Sequence, residues 1–470
     1  MTTPSPAPST LSKPNLIVLV ILAILNLAGL AIAAVQVLAY LTRHEPLFML
    51  DYGAYYISGA ILNSPTPVLY DDHLAGLISA ARNMPFPPPR YIYPPFFAVM
   101  HRPLALLPFP VAGLAWMLVN TVLVGVSVRL LLPIVKWPRD WKWVAMVTAA
   151  VITIPVVYAN IILAGQSNIV ILALLVITYV YSRPDRLPRD HMIAGLAIGG
   201  MVGIKFYMIV LAPYFVLYRR PRIALWAAVG FALTTVVGLL GAGWQNTLRY
   251  YTTVFLDFAN EAELDRVHHV FAWYNYNLGA TVARLFASSD ASFQYFFSKE
   301  STSAVIPALL DAPAWRFPAY QITRGLFVGL TAAILALDWL RQRRYGVSDV
   351  EPAIGLLVVT TVLALPLGWQ ATHVVDLLAV ALLLAVCYAS VRATNFTISG
   401  LLLSDALLLL HMNWPLLYLA LGGISPLVLA TGTLSVLVIW LMLAARIWQS
   451  DTGRQIERIA HVETLRRQAH

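Results

Sequence analysis

This sequence has little charge and almost no cysteine. Charged residues make up 11% of its 470 residues, and Cys387 is the single thiol. A soluble domain carries roughly 25% charged residues, so a soluble enzyme and a charge-rich disordered chain are both excluded. One cysteine excludes an intrachain disulfide and any cysteine-based metal cluster. Also missing are a glycine-rich nucleotide loop of the Walker or dinucleotide type, an H-E-x-x-H zinc pair and a G-x-S-x-G nucleophile elbow. No soluble stretch is long enough for an exposed basic domain with aromatic platforms, so nucleic acid is not an expected partner. Ten-residue apolar/polar alternation is absent too, which excludes an outer-membrane barrel.

What the sequence has in abundance is apolar length. Apolar residues make up 59% of the chain, and the mean hydropathy is +0.74. A spanning helix takes about 20 apolar residues, so the content suffices for roughly ten to twelve spans. An all-α, polytopic integral membrane protein is expected. Apolar runs lie near 15–41, 93–108, 111–134, 143–164, 168–182, 191–217 and 223–242, and more fill 320–447. The first is too long for a signal-peptide core and reads as an uncleaved span. Residues 1–13 read as a disordered cytoplasmic tail, 14–447 as one membrane domain with large loops at 42–92 and 243–319, and 448–470 as a charged cytoplasmic tail.

The net charge of +9 is the surplus expected of cytoplasmic Lys and Arg in such a protein. Arg183, Arg186 and Arg189 form one basic cluster, Arg219, Arg220 and Arg222 a second, and Arg341, Arg343 and Arg344 a third. With all of these cytoplasmic, the loops 42–92, 165–167, 243–319 and 368–373 face outward, across the plasma membrane. Two runs resist this scheme. Residues 191–217 carry basic clusters at both ends, so two half-helices broken near Gly203 and Lys205 are expected. Residues 93–108 also do not cross simply. Interrupted helices are tolerated at membrane depth only where protein or water covers their backbone, which points to a cavity.

The unusual polar residues lie on the expected outer side. Asp51 follows the first span closely and precedes Tyr52 and Tyr55; on a helix, Asp51 and Tyr55 share a face. Read alone, Asp51 suits either a site at the membrane interface or an N-cap. Tyr91-Ile92-Tyr93-Pro94-Pro95 places two prolines where a helix can begin. Arg102, inside an apolar run, reads as a phosphate ligand or as the mark of a helix break. Gln166 and Asn168 form a polar turn whose amides suit sugar hydroxyls, with Asn168 alternatively a helix cap. Lys205 at membrane depth suits an anionic phosphate or a snorkelling position. Trp273, Tyr274, Tyr276 and Asn277 combine aromatics with amides after His268 and His269. Trp369 and His373 lie between two late spans, and the next acid is Asp376.

In this order the motifs resemble family 87 of the glycosyltransferases. The resemblance rests on Asp51 to Tyr56, on Tyr91-Ile92-Tyr93-Pro94-Pro95 and on Pro103-Leu104-Ala105-Leu106-Leu107-Pro108. Gly165 to Asn168, Gly203-Ile204-Lys205 with Pro213, Asn277-Leu278 and the late His373 continue it. The family commonly has Ser where this chain has Leu278. The resemblance implies a GT-C fold and transfer of a sugar from a polyprenyl-phosphate donor, with inversion, to a lipid-linked or glycan acceptor. The family includes mycobacterial mannosyltransferases acting on phosphatidylinositol mannosides, and arabinofuranosyltransferases. Mannose is the first expectation for the sugar and arabinofuranose the alternative.

By the same resemblance Asp51 is the general base and His373 holds the donor phosphate, with Lys205 as its helper; Arg102 joins them as a donor-phosphate candidate from its place in an apolar run. Tyr55, Tyr93, Gln166, Asn168, Asn277 and Trp369 remain for acceptor or sugar. No metal or other cofactor is expected, because a phosphate leaving group needs positive charge or donors rather than acid catalysis. Two other classes fit the composition: a polytopic transporter or lipid flippase, which also uses broken helices, and a non-catalytic membrane subunit. Convergence of Asp51, Lys205 and His373 on one cavity separates the enzyme from both.

Overall fold

The computed structural model describes residues 13–468 except 44–48, 85–88, 184–185, 258–270, 273–274, 295–300, 346–349, 366–367, 369, 387–390 and 413–424. Apart from Lys13, the tail at 1–13 therefore lies outside the described residues. Among the described residues the fold is helical with one antiparallel pair of strands. Its first half comprises α1 (Lys13–Arg43), α2 (Leu50–Leu62), α3 (Asp72–Ala81), α4 (Pro95–His101), α5 (Phe109–Leu131) and α6 (Trp141–Ile152). The short α7 (Pro155–Tyr158) continues as a π turn, Ala159–Ala164. Then come α8 (Asn168–Tyr181), α9 (Pro188–Ile204), α10 (Leu211–Leu217) and α11 (Pro221–Ala242).

The stretch 243–319, expected as a long polar-aromatic loop, carries its own small elements: α12 (Trp244–Arg249), α13 (Phe255–Asp257), α14 (Leu278–Ala283), and the strands β1 (Ser289–Gln294) and β2 (Ser301–Ile306). The two strands pair antiparallel, with Ser289 opposite Ile306. The last helices are α15 (Arg316–Tyr345), α16 (Val350–Ala364), α17 (Leu377–Val386), α18 (Val391–Met412) and α19 (Pro426–Gln468). Helix α19 does not stop at the expected span end near 447 but runs through the charged tail to Gln468.

Among the described residues, four segments are long and apolar enough to cross a membrane: Phe109–Leu131, Pro221–Ala242, Pro313–Arg341 and Pro426–Trp448. A fifth, Trp141–Ile152 with Pro155–Ala164, bends by 86°. Pro155 explains the bend, since it lacks the N–H that would continue the ladder. Shorter apolar helices such as Asn168–Tyr181 and Phe396–His411 complete the multi-pass bundle. Leu240, Leu326 and Leu225 are among its most exposed apolar side chains, as a lipid-facing surface requires.

Both resistant runs are interrupted. Helix α4 has seven residues and ends at His101, and a 3₁₀ turn at Leu104–Leu106 follows it. Run 191–217 breaks at Lys205, which is extended (φ −137°, ψ 105°) between α9 and a 3₁₀ turn at Phe206–Val210. Helix α9 is seated by glycines one turn apart. A Cβ on Gly195 would lie 2.4 Å from Trp226 Cβ, one on Gly199 2.5 Å from Gly230 Cα, and one on Gly203 2.4 Å from Thr234 Oγ1. Small residues at this spacing let two membrane helices meet backbone to backbone. That close contact with α11 fixes the height at which α9 ends, and so the position of Lys205. Hydroxyls bind the far side of the bundle: Trp440 Nε1 donates to Thr360 at 2.9 Å and Thr331 at 3.2 Å.

Candidate active site

Asp51 sits at the second position of α2. The cap residue is Met49, in a left-handed conformation (φ 59°) with no side-chain cap bond, so Asp51 is not the N-cap. A carboxylate in the first turn is still favoured by the helix dipole, and its side chain is free for tertiary use. Gln166 Nε2 donates to Asp51 Oδ2 at 2.7 Å. Burial holds the Asp51 carboxyl above the usual carboxylate range, and the Gln166 bond and the Lys205 charge act against that rise. One turn along α2, the Tyr55 hydroxyl lies 2.9 Å from that of Tyr93 and 3.0 Å from Gln166 Oε1.

The backbone beneath this cluster requires glycine at position 165. Gly165 ends the π turn at φ +63°. A Cβ there would lie 2.3 Å from Met49 Sδ and 2.7 Å from Tyr52 Cβ. Trp116 Nε1 donates to Gly165 O at 2.7 Å. Tyr52, Tyr55, Phe97, His101 and Trp116 pack ring against ring around it, with Phe97 and His101 centroids 4.5 Å apart. Pro94 and Pro95 start α4, as the cap residue and the first helical position.

Lys205 Nζ donates to Asn168 Oδ1 at 2.5 Å and lies 5.5 Å from the centroid of the Tyr93 ring. Asn168 is the first residue of α8 and makes no cap bond. Instead its Nδ2 donates to Asn160 Oδ1 at 3.2 Å, and Asn160 Nδ2 donates to Ala371 O at 2.8 Å. That bond reaches the 3₁₀ segment Gln370–Asp376, which carries His373. His373 Nδ1 pairs with Asp376 Oδ2 at 2.9 Å, both side chains being buried. His373 Nε2 is buried without a hydrogen-bond partner among the described residues, as is the Tyr207 hydroxyl. Tyr207, two residues past Lys205, is within electrostatic range of both Tyr93 and Asp376.

Asp51, Tyr55, Tyr93 and Gln166 form one hydrogen-bonded group, and Lys205, Asn168 and Asn160 a second. Gln166 N donates to Asn160 O at 3.0 Å and joins the two, and Asn160 also links them to the His373 segment. The other sequence candidates are placed elsewhere. Arg102 Nε donates to Asn63 Oδ1 at 2.9 Å and its NH1 to Gly241 O at 3.2 Å, so it ties α2 and α11 together at the end of α4. Asn277 is a buried cap of α14, accepting from Ala280 N at 2.9 Å and donating to Leu365 O. Trp369, Trp273, Tyr274, His268 and His269 lie outside the described residues. Sequence reasoning missed Asn160, whose signal was a lone amide within an apolar run. It also missed Tyr207, which gives no signal beyond its closeness to Lys205. Among the described residues no three His, Cys, Asp or Glu side chains are grouped to hold a metal ion.

The model of glycosyltransferase family 87 matches residues 91–366. The chain belongs to this family. The matched stretch includes Tyr93, Gln166, Asn168 and Lys205, while Asp51 lies well before its start and His373 shortly after its end. The family 87 chain is 29% identical over 224 residues to a polyprenol-phosphate-mannose-dependent alpha-(1-2)-phosphatidylinositol mannoside mannosyltransferase of Mycobacterium tuberculosis, covering 45% of this chain and 48% of that one. It is 29% identical over 262 residues to the corresponding pentamannoside mannosyltransferase of the same species, covering 56% and 55%. With the pentamannoside enzyme of Mycolicibacterium smegmatis it shares 27% over 246 residues, covering 51% and 53%. The chain thus spans about half the length of the curated relatives it matches. No solved structure matches it significantly.

Proposed function

We propose that this protein is an inverting glycosyltransferase. It moves a sugar, mannose in the first instance, from a polyprenyl-phosphate donor to a lipid-linked or glycan acceptor at the outer face of the membrane. The observation that carries this reading is the hydrogen-bonded chain from the Asp51 carboxylate through Gln166 to Asn160, which leads on one side through Asn168 to Lys205 and on the other to the His373 segment. It combines one base with candidate phosphate ligands.

Asp51 deprotonates the acceptor hydroxyl as it attacks the anomeric carbon. The C–O bond to the lipid phosphate breaks on the opposite face, so a β-linked donor gives an α-linked product. The departing phosphate gathers negative charge, which Lys205 and the free face of His373 stabilise. Asp376 fixes the His373 ring so that Nε2 points away from the pair. Matches to relatives named for polyprenol-phosphate-mannose and for phosphatidylinositol mannosides support mannose and a lipid acceptor.

The test is to incubate the purified protein with a panel of polyprenyl-phosphate sugars and phosphatidylinositol mannoside acceptors, reading products by mass spectrometry. Transfer from the mannose donor with an α-linkage is expected. Transfer from the arabinofuranose donor alone would replace the sugar assignment. Translocation of a lipid across vesicles with no transfer from any donor would favour the transporter class instead.

A further inference from the structure

Gln166 stands at the centre of the cluster with both ends of its amide engaged. Its Nε2 donates to Asp51 Oδ2 at 2.7 Å, and its Oε1 faces the hydroxyls of Tyr55 at 3.0 Å and Tyr93 at 3.4 Å. Turned over, the amide would set its oxygen against a carboxylate oxygen, so the network selects this orientation. Its backbone is held as firmly: Gln166 N donates to Asn160 O at 3.0 Å, and Gly165 before it is locked by Trp116 and by the lack of room for a Cβ. The side chain is 1% exposed. A group this buried, with its polar ends taken up inside the protein, has little left to offer a sugar.

We propose that Gln166 is the positioning residue for Asp51: it holds the carboxylate in one rotamer and occupies one oxygen, leaving the other for the acceptor hydroxyl. The assignment rests on the reading of Asp51 as the base. The geometry explains why an amide serves here and a carboxylate would not. The Asp51 side must receive a donor while the tyrosine side must receive an acceptor, and Gln presents both across one rigid plane. The groups facing Asp51 are Lys205 from the break after α9, Tyr93 from the segment before α4, and Tyr55 from its own helix. Burial raises the proton affinity of the carboxyl, and Gln166 opposes it.

Gln166→Glu isolates the interaction. It keeps an oxygen toward Tyr55 and Tyr93 and replaces only the donor that faces Asp51. Two carboxylates in such contact share one proton, so the acid limb of the kcat–pH profile should move up by about one unit or more. The kcat at pH 7 should fall roughly tenfold or more, with acceptor KM changing less than about twofold. Gln166→Met, which lacks both polar ends, should move the same limb in the same direction, and it supplies the readout should the Glu variant not fold. An unmoved profile overturns the proposal, and a loss confined to acceptor KM overturns it by making Gln166 a sugar ligand. Asp51→Asn measured in parallel separates the two readings. Near-normal turnover by Asp51→Asn removes the base, and this proposal with it. An inactive Asp51→Asn beside an unshifted Gln166→Glu removes the positioning role alone.

Discussion

Lys205 Nζ donates to Asn168 Oδ1 at 2.5 Å, across the interface of two broken membrane segments. The pairing explains why a lysine stands where α9 ends. Its ammonium is tied back to the start of α8 and lies against the Tyr93 ring, so it is neither snorkelling nor spent in an ion pair with Asp51. One amide oxygen takes only part of an ammonium's three donors, which leaves capacity for a phosphate oxygen.

Replacing Lys205 tests that spare capacity. Lys205→Ala should lower kcat/KM for the polyprenyl-phosphate donor by roughly 10- to 100-fold, the loss of one charge-assisted hydrogen bond. Lys205→Arg should recover part of it, because the charge returns with a different fork geometry. Steady-state kinetics against donor concentration checks both. Equal activity of the Ala variant and the parent would leave Lys205 a purely structural tie.

Removal of the Asp51 charge should act on the chemical step. Asp51→Asn keeps a near-identical shape, so folding and donor-lipid binding should persist while transfer falls by about 10²- to 10⁴-fold. Gel filtration, donor binding and product formation measured on the same preparation give the answer. Near-normal turnover would reject Asp51 as the base.

Much of this site was legible in the sequence because it depends on local spacing. Asp51 and Tyr55 share a helix face by their four-residue interval, Pro95 opens α4 as prolines open helices, and the basic clusters flanking 191–217 foretold a break that falls at Lys205. The glycine stripe of Gly195, Gly199 and Gly203 was not read from the sequence, because only its contact with α11 gives it meaning. Tertiary pairings were not legible. Gln166 meets Asp51 across 115 positions, and no local pattern distinguishes an amide that holds a base from one that holds a sugar. Asn277 and Arg102 illustrate the reverse case: polar residues in apolar surroundings drew functional readings, yet their hydrogen bonds satisfy a helix end and tie two helices.

His373 and Asp376 give a graded expectation. His373→Ala removes the group at the end of the Asn160 connection and should cost roughly 10- to 100-fold in donor kcat/KM. Asp376→Asn leaves the ring in place but replaces its carboxylate partner, so its loss should be smaller, about threefold to tenfold. Kinetics for the two variants and the double variant would show the order. Additive losses would mean that the pair does not act as a unit.

Gly165 offers a test of the scaffold rather than of the chemistry. Its φ of +63° disfavours any side chain, and a Cβ would strike Met49 Sδ at 2.3 Å and Tyr52 Cβ at 2.7 Å. Gly165→Ala should therefore cost about 2 kcal/mol or more, from left-handed strain together with overpacking. Gly325, on α15, has nothing within 4 Å of its added Cβ, and Gly325→Ala should be neutral or stabilising by up to about 1 kcal/mol. Thermal unfolding of both variants in one detergent at one scan rate makes the comparison direct. A lowered midpoint for Gly165→Ala with a loss of transfer larger than the folded fraction explains would show that the turn sets Gln166, and through it Asp51. A midpoint equal to that of Gly325→Ala would mean that the turn yields to the methyl group and does not hold the site.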